Sequence, residues 1–369
     1  MEPITTSELN ENLLADSGFV VRLTRGWHQA YDNFNLRRKI VAYCDVKCLE
    51  PRLLRNKYYL KIWVGLCTEK RVWYQQLECL AAILGSSELV GKKVLLIIDG
   101  MTAKLGEAVD VAASSKQLSF VGEFLSRHTV CSYELVSIAG RHACTKISYA
   151  NQVDFFLANA ATDSIYPSKF ACRPGVVYSS NAMSTIQHPH VRAIRVPSSW
   201  VVDSAQGAKN VSEVSFNICP DKVSGLFLSF TKGLEDSISS LTLLSSGRGL
   251  RYLGREHGGD VYFVSEIADY ISFSFDPLLL DVSSSGLPCS NYADLYVHLE
   301  TEPTVEARVE CITGEVSPRA VPFRDGRNLV FKNISQASKF RLQVRGQGRL
   351  CFYGASLLIN CGDNYVCSN

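Results

Sequence analysis

Basic, hydroxyl and carboxylate side chains recur in this sequence just past the ends of short apolar runs, where a strand would hand the chain to a loop. After KIWVGLC come Thr68-Glu69-Lys70-Arg71; adjacent cations at a strand's exit suit a diphosphate, with arginine offering a two-pronged donor. VLLIIDG ends on Asp99 and Gly100, and a carboxylate there could act as general base or take a ribose hydroxyl. YELVSIA runs into Gly140-Arg141-His142. The glycine admits a close ligand, Arg141 can contact phosphate, and His142 exchanges protons near neutral pH. Lys146 stands one helical turn beyond His142 and could share its site. DFFLANA leads to Thr162-Asp163-Ser164, whose hydroxyls and backbone N–H groups at the mouth of a helix would make an anion site. Each stretch also has a plainer use: a solvated first turn for Lys70 and Arg71, a cap for Asp99, Thr162 or Asp163, a structural role for His142.

Other chemistries find less support. GxGxxG, GxxxxGK[ST] and GxSxG are missing, and no D-x-D lies between apolar strands to hold a nucleotide through a metal. His188-Pro189-His190 offers metal-binding side chains at i and i+2 without a nearby carboxylate cluster, so no metal site is expected. No two acidic residues are spaced as the pair a glycoside hydrolase needs.

The elements that would position these residues alternate. From about 58 to 200, YYLKIWVGLC, VLLIIDG, YELVSIAG, DFFLANA and GVVYSSN read as strands, with VRAIRVP a possible sixth. RVWYQQLECLAAIL, KQLSFVGEFLSRH, ACTKISYANQ and SIYPSKFAC read as helices between them. Strand–helix alternation with wholly apolar strands predicts an α/β Rossmann-like, doubly wound parallel sheet over residues 56–205. Residues 1–55 form a segment preceding or joining that domain, with GFVVRLTRGWHQAYDNF as strand and turn and IVAYCDV as a short strand. PSSWVVDSAQGAKN reads as a linker. From 210 to 369, runs beginning with GLFLSFTKG and SLTLLSSG and ending with RLCFYGASLLIN are β-branched and aromatic, separated by turn signals, with no convincing helix between them. They predict an all-β, jelly-roll-like sandwich. Its aromatics, such as Tyr252, Tyr262, Phe263, Tyr292 and Tyr353, could stack on sugars, and a polar loop of Arg251, Arg255, Glu256 and His257 could line a site. Lys104 and Glu107 lie in a long polar loop reaching about Ser115, which could contact substrate.

Composition bounds the partners. The 38 basic and 36 acidic residues among 369 leave a net charge of +2, which gives no electrostatic reason to expect nucleic acid or an anionic membrane. Thirteen scattered cysteines without a CxxC pair read as buried thiols of a reducing compartment. The acidic, polar start is unlike a secretory signal, and no apolar run approaches the roughly 20 residues of a membrane span, so a cytoplasmic location is expected, with peripheral membrane contact left open.

With these pieces in order, residues 58–181 resemble the nucleotide-sugar-binding half of a GT-B-type glycosyltransferase, of the heptosyltransferase-like and bacterial surface-polysaccharide kind. The likeness rests on KIWVGLCTEKR, VLLIIDGMT, VSIAGRH and DFFLANAATDSIYPSKFACRPGVVYSSN, about a third of the chain. Ala160-Ala161-Thr162 stands where that family more usually has a glycine-containing turn. The resemblance implies a nucleotide-sugar donor as substrate rather than a bound cofactor, a glycan acceptor, and a place in polysaccharide biosynthesis. It would set Lys70 and Arg71 on phosphate, Gly140 and Arg141 in the donor pocket, and Thr162, Asp163 and Ser164 on the diphosphate. Asp99 or His142 would then take the acceptor's proton. The competing expectation is a glycan-binding or assembly protein that recognises its ligand through the sandwich, with the α/β part as scaffold.

Overall fold

The computed structural model describes residues 34–48, 58–67, 70–103, 111–129, 131–160, 162–183, 192–204, 208, 210–240, 244–245, 249–256, 259–265, 269–274, 292–301, 304–313, 323–325, 328–335, 339–361 and 364–366. The segments GFVVRLTRGWHQAYDNF, apart from its last residue, Lys104 to Asp110, His188-Pro189-His190 and His257 lie outside them.

Helix α1 (Phe34–Lys47) comes first, followed by strand β1 (Leu60–Gly65), helix α2 (Gln76–Leu84) and strand β2 (Lys93–Asp99). Helix α3 (Val111–His128), strand β3 (Ser132–Ser137), helix α4 (Ala143–Ala150) and strands β4 (Phe155–Asn159), β5 (Gly175–Tyr178) and β6 (Ala193–Arg195) complete an alternating series. The six strands form one sheet in the order β3-β2-β1-β4-β5-β6, every pair parallel. That order is the doubly wound arrangement, in which the chain works outward from β1 to one edge and then returns to fill the other. β1, β4 and β5 are buried along their whole length, as strands sandwiched between helices must be. On one face Ile62, Val64, Val94, Leu96 and Leu157 meet Leu80, Ile83 and Leu84 of α2 and Val121 and Leu125 of α3. On the other, Trp63, Leu95, Ile97 and Phe156 meet Tyr149 and Ala150 of α4.

Several local expectations give way. IVAYCDV lies within α1, not in a strand: Val41 and Cys44 fall on one helical face and pack with Ile147 of α4, Ile165 and Phe170. A run this short fits either period, and the contact with α4 decides it. SIYPSKFAC is not a regular helix. Thr162–Ser164 makes one 3₁₀ turn and Ile165–Phe170 a π turn, with the Ala171 N–H donating to Tyr166 O at 3.1 Å. The Arg173 N–H reaches back to Pro167 O at 2.8 Å, so the segment closes on bonds longer than the i to i−4 bonds of an α-helix. The expected linker after Pro197 contains strand β7 (Val201–Ser204), paired antiparallel with β8 (Ser215–Ile218).

GLFLSFTKG, expected as a strand, belongs to helix α5 (Pro220–Ser240). Val223, Leu226, Phe227 and Phe230 recur at helical spacing and enter the core beneath the parallel sheet, where Phe155 meets Phe227 and Phe230 edge-on. The β-branched pattern holds only beyond this helix. β9 (Leu244–Ser245), β10 (Leu250–Glu256), β11 (Gly259–Val264), β12 (Asp269–Ser274), β13 (Tyr292–Thr301), β14 (Val305–Thr313), β15 (Phe323–Asp325), β16 (Asn328–Ser335), β17 (Lys339–Gly346), β18 (Gly348–Cys361) and β19 (Asn364–Val366) follow. They make two antiparallel sheets, β10-β11-β18-β13-β16-β15 with β19 on β18, and β14-β17-β12-β9. Arg251, Arg255 and Glu256, expected in a loop, lie in β10. The β-rich region reaches the α/β region through Val261, Cys351 and Tyr353, which cluster with Cys172, and through Phe230, whose ring lies 6.0 Å from that of His298.

Gly175 opens β5 against β4, and a side chain there would land inside the Phe156 carbonyl oxygen and ring. Gly175→Ala is therefore expected to destabilise the protein by about 1–3 kcal/mol, read as a lower midpoint in urea denaturation.

Candidate functional site at the C-terminal edge of the parallel sheet

The strand order reverses between β1 and β4, so the chains leaving their carboxyl ends diverge and open a crevice, the usual ligand position in such sheets. Gly65 ends β1 there. A Cβ on it would come within 2.8 Å of Asp163 Cβ and 2.9 Å of Ala158 Cβ, so glycine is what lets the 162–164 turn lie against β1. The Gly65 carbonyl accepts hydrogen bonds from Gln76 Nε2 at 2.7 Å and Tyr178 Oη at 2.9 Å, tying α2 and β5 to the same point. The Asp163 carbonyl accepts from Trp63 Nε1 at 3.3 Å, and its carboxylate Oδ2 accepts from Cys67 Sγ at 2.6 Å. Burial pushes the Cys67 thiol up, the Asp163 and Asp99 carboxylates push the same way, and Arg71 pulls it down. Charged residues at or beyond the ends of β1, β2 and β4 thus all act on one sulfur, to which Asp163 is hydrogen-bonded.

The ends of β2 and β3 are joined by a second arrangement. Gly140, at φ 71°, donates its N–H to Met101 O at 2.7 Å; Ala103 N donates to Arg141 O at 3.1 Å, and Ala103 bridges His142. Left-handed backbone is open to glycine at little cost, which explains Gly140 better than ligand access alone. Beneath the two loops Lys146, fully buried, donates to Asp99 Oδ1 at 2.6 Å, Gly100 O at 2.7 Å and Met101 O at 3.1 Å. All three ammonium protons are placed, so Lys146 holds Asp99 and the β2 loop rather than reaching a phosphate. Burial raises the Asp99 carboxyl from 3.8 to about 6, outweighing the lowering pull of Lys146. Tyr166 of the π turn approaches from the far side, its hydroxyl 3.4 Å from Thr102 Oγ1 and its ring 5.8 Å from Lys146 Nζ.

The other expected site residues fall as follows. Arg71 sits half-buried just past β1 at φ 54°, strained for a non-glycine residue by about 1–2 kcal/mol, and its buried Nε has no hydrogen-bond partner among the described residues. Lys70 is exposed and paired with Glu213 at 3.1 Å, pointing away toward the turn before β8. Arg141 and His142 lie half-buried at the β3 exit, His142 in the N-cap position of α4. Asp99, only 2% exposed and locked by Lys146, is poorly placed to meet an acceptor hydroxyl. Thr162 and Asp163 lie in the turn facing β1, with Ser164 buried at its end. One 3₁₀ turn carries little macrodipole, and the Asp163 carboxylate would repel an anion, so this turn by itself offers an anion little attraction. Sequence reasoning missed Cys67, Gln76, Tyr178 and Asn159. Asn159 ends β4 fully buried with neither amide atom paired among the described residues. Its place as the last residue of an apolar strand was the available signal.

No family model matches the chain, and none of the curated proteins compared with it matches. Among solved structures, a glycosyl transferase family 9 protein from Veillonella parvula DSM 2008 superposes with a TM-score of 0.30 at 14% identity. The match covers 59% of this chain and 54% of that one, so the chain spans about half the length of the protein it is compared with. A likeness this slight transfers nothing to the residues described above.

Two outcomes are expected of the buried pair. Lys146→Met and Asp99→Asn should each destabilise by about 3–5 kcal/mol while the double variant recovers much of the loss, as removal of one partner strands a buried charge; strict additivity in a denaturation cycle would speak against the pair. Between 3.8 and about 6 the folded protein binds the Asp99 proton more tightly than the unfolded chain does. The stability this group contributes is therefore full below 3.8, falls as pH rises to about 6, and is flat above. An NMR titration of the Asp99 carboxyl carbon should show its midpoint near that upper value, moved higher in Lys146→Met.

Proposed function

We propose that the chain is a glycosyltransferase that binds the diphosphate of a nucleotide-sugar at the β1/β4 crevice and passes the sugar to a glycan acceptor without a metal. The observation that carries this reading is the strand order, which brings the exits of β1, β3 and β4, with Arg71, Arg141 and the 162–164 turn, to one edge of the sheet at its point of reversal. The buried Nε–H of Arg71 has no acceptor among the described residues, and its backbone conformation is one that a non-glycine residue adopts only at a cost. Arg71 and Arg141 would stabilise the charge developing on the leaving diphosphate. His142, half-buried at the start of α4, is better placed than Asp99 to take the acceptor's proton, and Asp163 would accept a hydroxyl rather than a phosphate. The two antiparallel sheets would pack as a jelly-roll-like sandwich, and a role in polysaccharide biosynthesis in the cytoplasm completes the proposal.

A second reading, glycan binding without catalysis, is favoured by one feature. Tyr252 lies 56% exposed on the edge strand β10, its hydroxyl 3.5 Å from Asp260 Oδ1, a ring and carboxylate that suit a sugar face.

Thermal denaturation with UDP, GDP, ADP and CMP separates the two. One of them at 100 times its dissociation constant is expected to stabilise by about 2.7 kcal/mol. Arg71→Ala and Arg141→Ala should lose that shift without lowering the unliganded midpoint. His142→Ala should keep it and slow sugar transfer or donor hydrolysis by about a hundredfold. Four unmoved melting curves together with a shift by a glycan would overturn the transferase in favour of the second reading.

A further inference from the structure

We propose that Cys44 and Cys144 form a thiol–disulfide exchange site that takes small disulfides of the glutathione class and closes into a bond between α1 and α4. The two cysteines are 100 residues apart in sequence, yet their helices pack directly, Val41 and Cys44 of α1 against Ile147 of α4, with Cys144 bordering the same cluster. The Cys144 thiol donates to the Cys44 carbonyl oxygen at 3.8 Å, which sets its sulfur against the other cysteine's own backbone. A buried cysteine is ordinarily a small apolar filler. Here two cysteines meet across one helix–helix contact, and they differ in access: Cys44 is buried, Cys144 half-buried. The neighbouring Cys44 holds the Cys144 thiol below its ordinary value, while Cys144 and burial push Cys44 up, which favours thiolate at the sulfur a small reagent can reach.

The chemistry balances in two exchanges. The Cys144 thiolate attacks one sulfur of the small disulfide, whose S–S bond breaks; one small thiol leaves with the electron pair and a proton. The Cys44 thiol then attacks the Cys144 sulfur of the mixed disulfide, its proton passing to the second small thiolate as that departs. Two protein thiols are oxidised and one small disulfide is reduced to two thiols, which carry off both protons. The bond would fasten α1 to the helix that His142 precedes as N-cap and that carries Lys146, so it acts on the edge of the candidate site without depending on what binds there.

Incubating the full chain with oxidised glutathione, blocking remaining thiols and mapping peptides without reduction tests this. A Cys44–Cys144 linked peptide, lost on adding dithiothreitol, is expected to dominate. Cys44→Ser should instead leave Cys144 as a stable glutathione adduct, and Cys144→Ser should leave Cys44 unmodified. An unreactive Cys144 in the wild-type chain, a persistent glutathione adduct on it, or a Cys48–Cys144 bond in place of the expected one would overturn the proposal. The wild-type map decides the matter even where a variant folds poorly.

Discussion

A lysine ammonium shut away from water must find an acceptor for every proton, and Lys146 finds all of its acceptors at the end of β2: the Asp99 carboxylate and the carbonyls of Gly100 and Met101. That constraint fixes α4 against the loop leaving β2. The same loop pairs with the one leaving β3, through Gly140 to Met101 and Ala103 to Arg141, so one buried charge holds two rim loops in place. It also removes Asp99 from the solvent-facing chemistry of the rim. Asp99 and Lys146 are better understood as the foundation of the edge than as its working groups.

A second anchor stands on the other side of the crevice. Gly65, with no side chain, lets Asp163 come against β1, and its carbonyl gathers Gln76 and Tyr178. Between the two anchors lies the Cys67 thiol, which feels Asp163, Arg71 and Asp99 together. The rim is therefore mixed in sign, with arginines just past β1 and β3 and carboxylates at β2 and β4. A site of that composition suits a ligand with an anionic part and hydroxyls more than a bare polyanion.

The α/β region does not end where its parallel strands do. α5 runs back beneath the sheet and places Phe227 and Phe230 on Phe155 before the chain enters the antiparallel sheets. Arg192, buried and at φ 55°, lies with its guanidinium 5.5 Å from the Tyr353 ring, a further contact between the parallel sheet and the β-rich region. Burial lowers Arg192 to about 10, a direction that the Tyr353 hydroxyl partly opposes.

The parallel strands were legible without coordinates because a strand covered on both faces must be apolar throughout, and VLLIIDG and DFFLANA can be little else. The positions of Asp99, Arg141 and Asp163 at strand exits were legible for the same reason, since an apolar run marks its own end. Which partners those side chains take was not. Lys146 reads as a companion of His142 in a donor site until α4 is laid on β2; Lys70 reads as a phosphate ligand until Glu213 arrives from a turn 143 residues away. IVAYCDV and GLFLSFTKG are apolar enough for either kind of element, and only the surface each packs against, α4 for one and the underside of the sheet for the other, settles the winding. Burial on two faces is a property the residues of a strand carry themselves. Charge pairing and the choice between two periods depend on neighbours far away in the chain, and these exist only once the chain has folded.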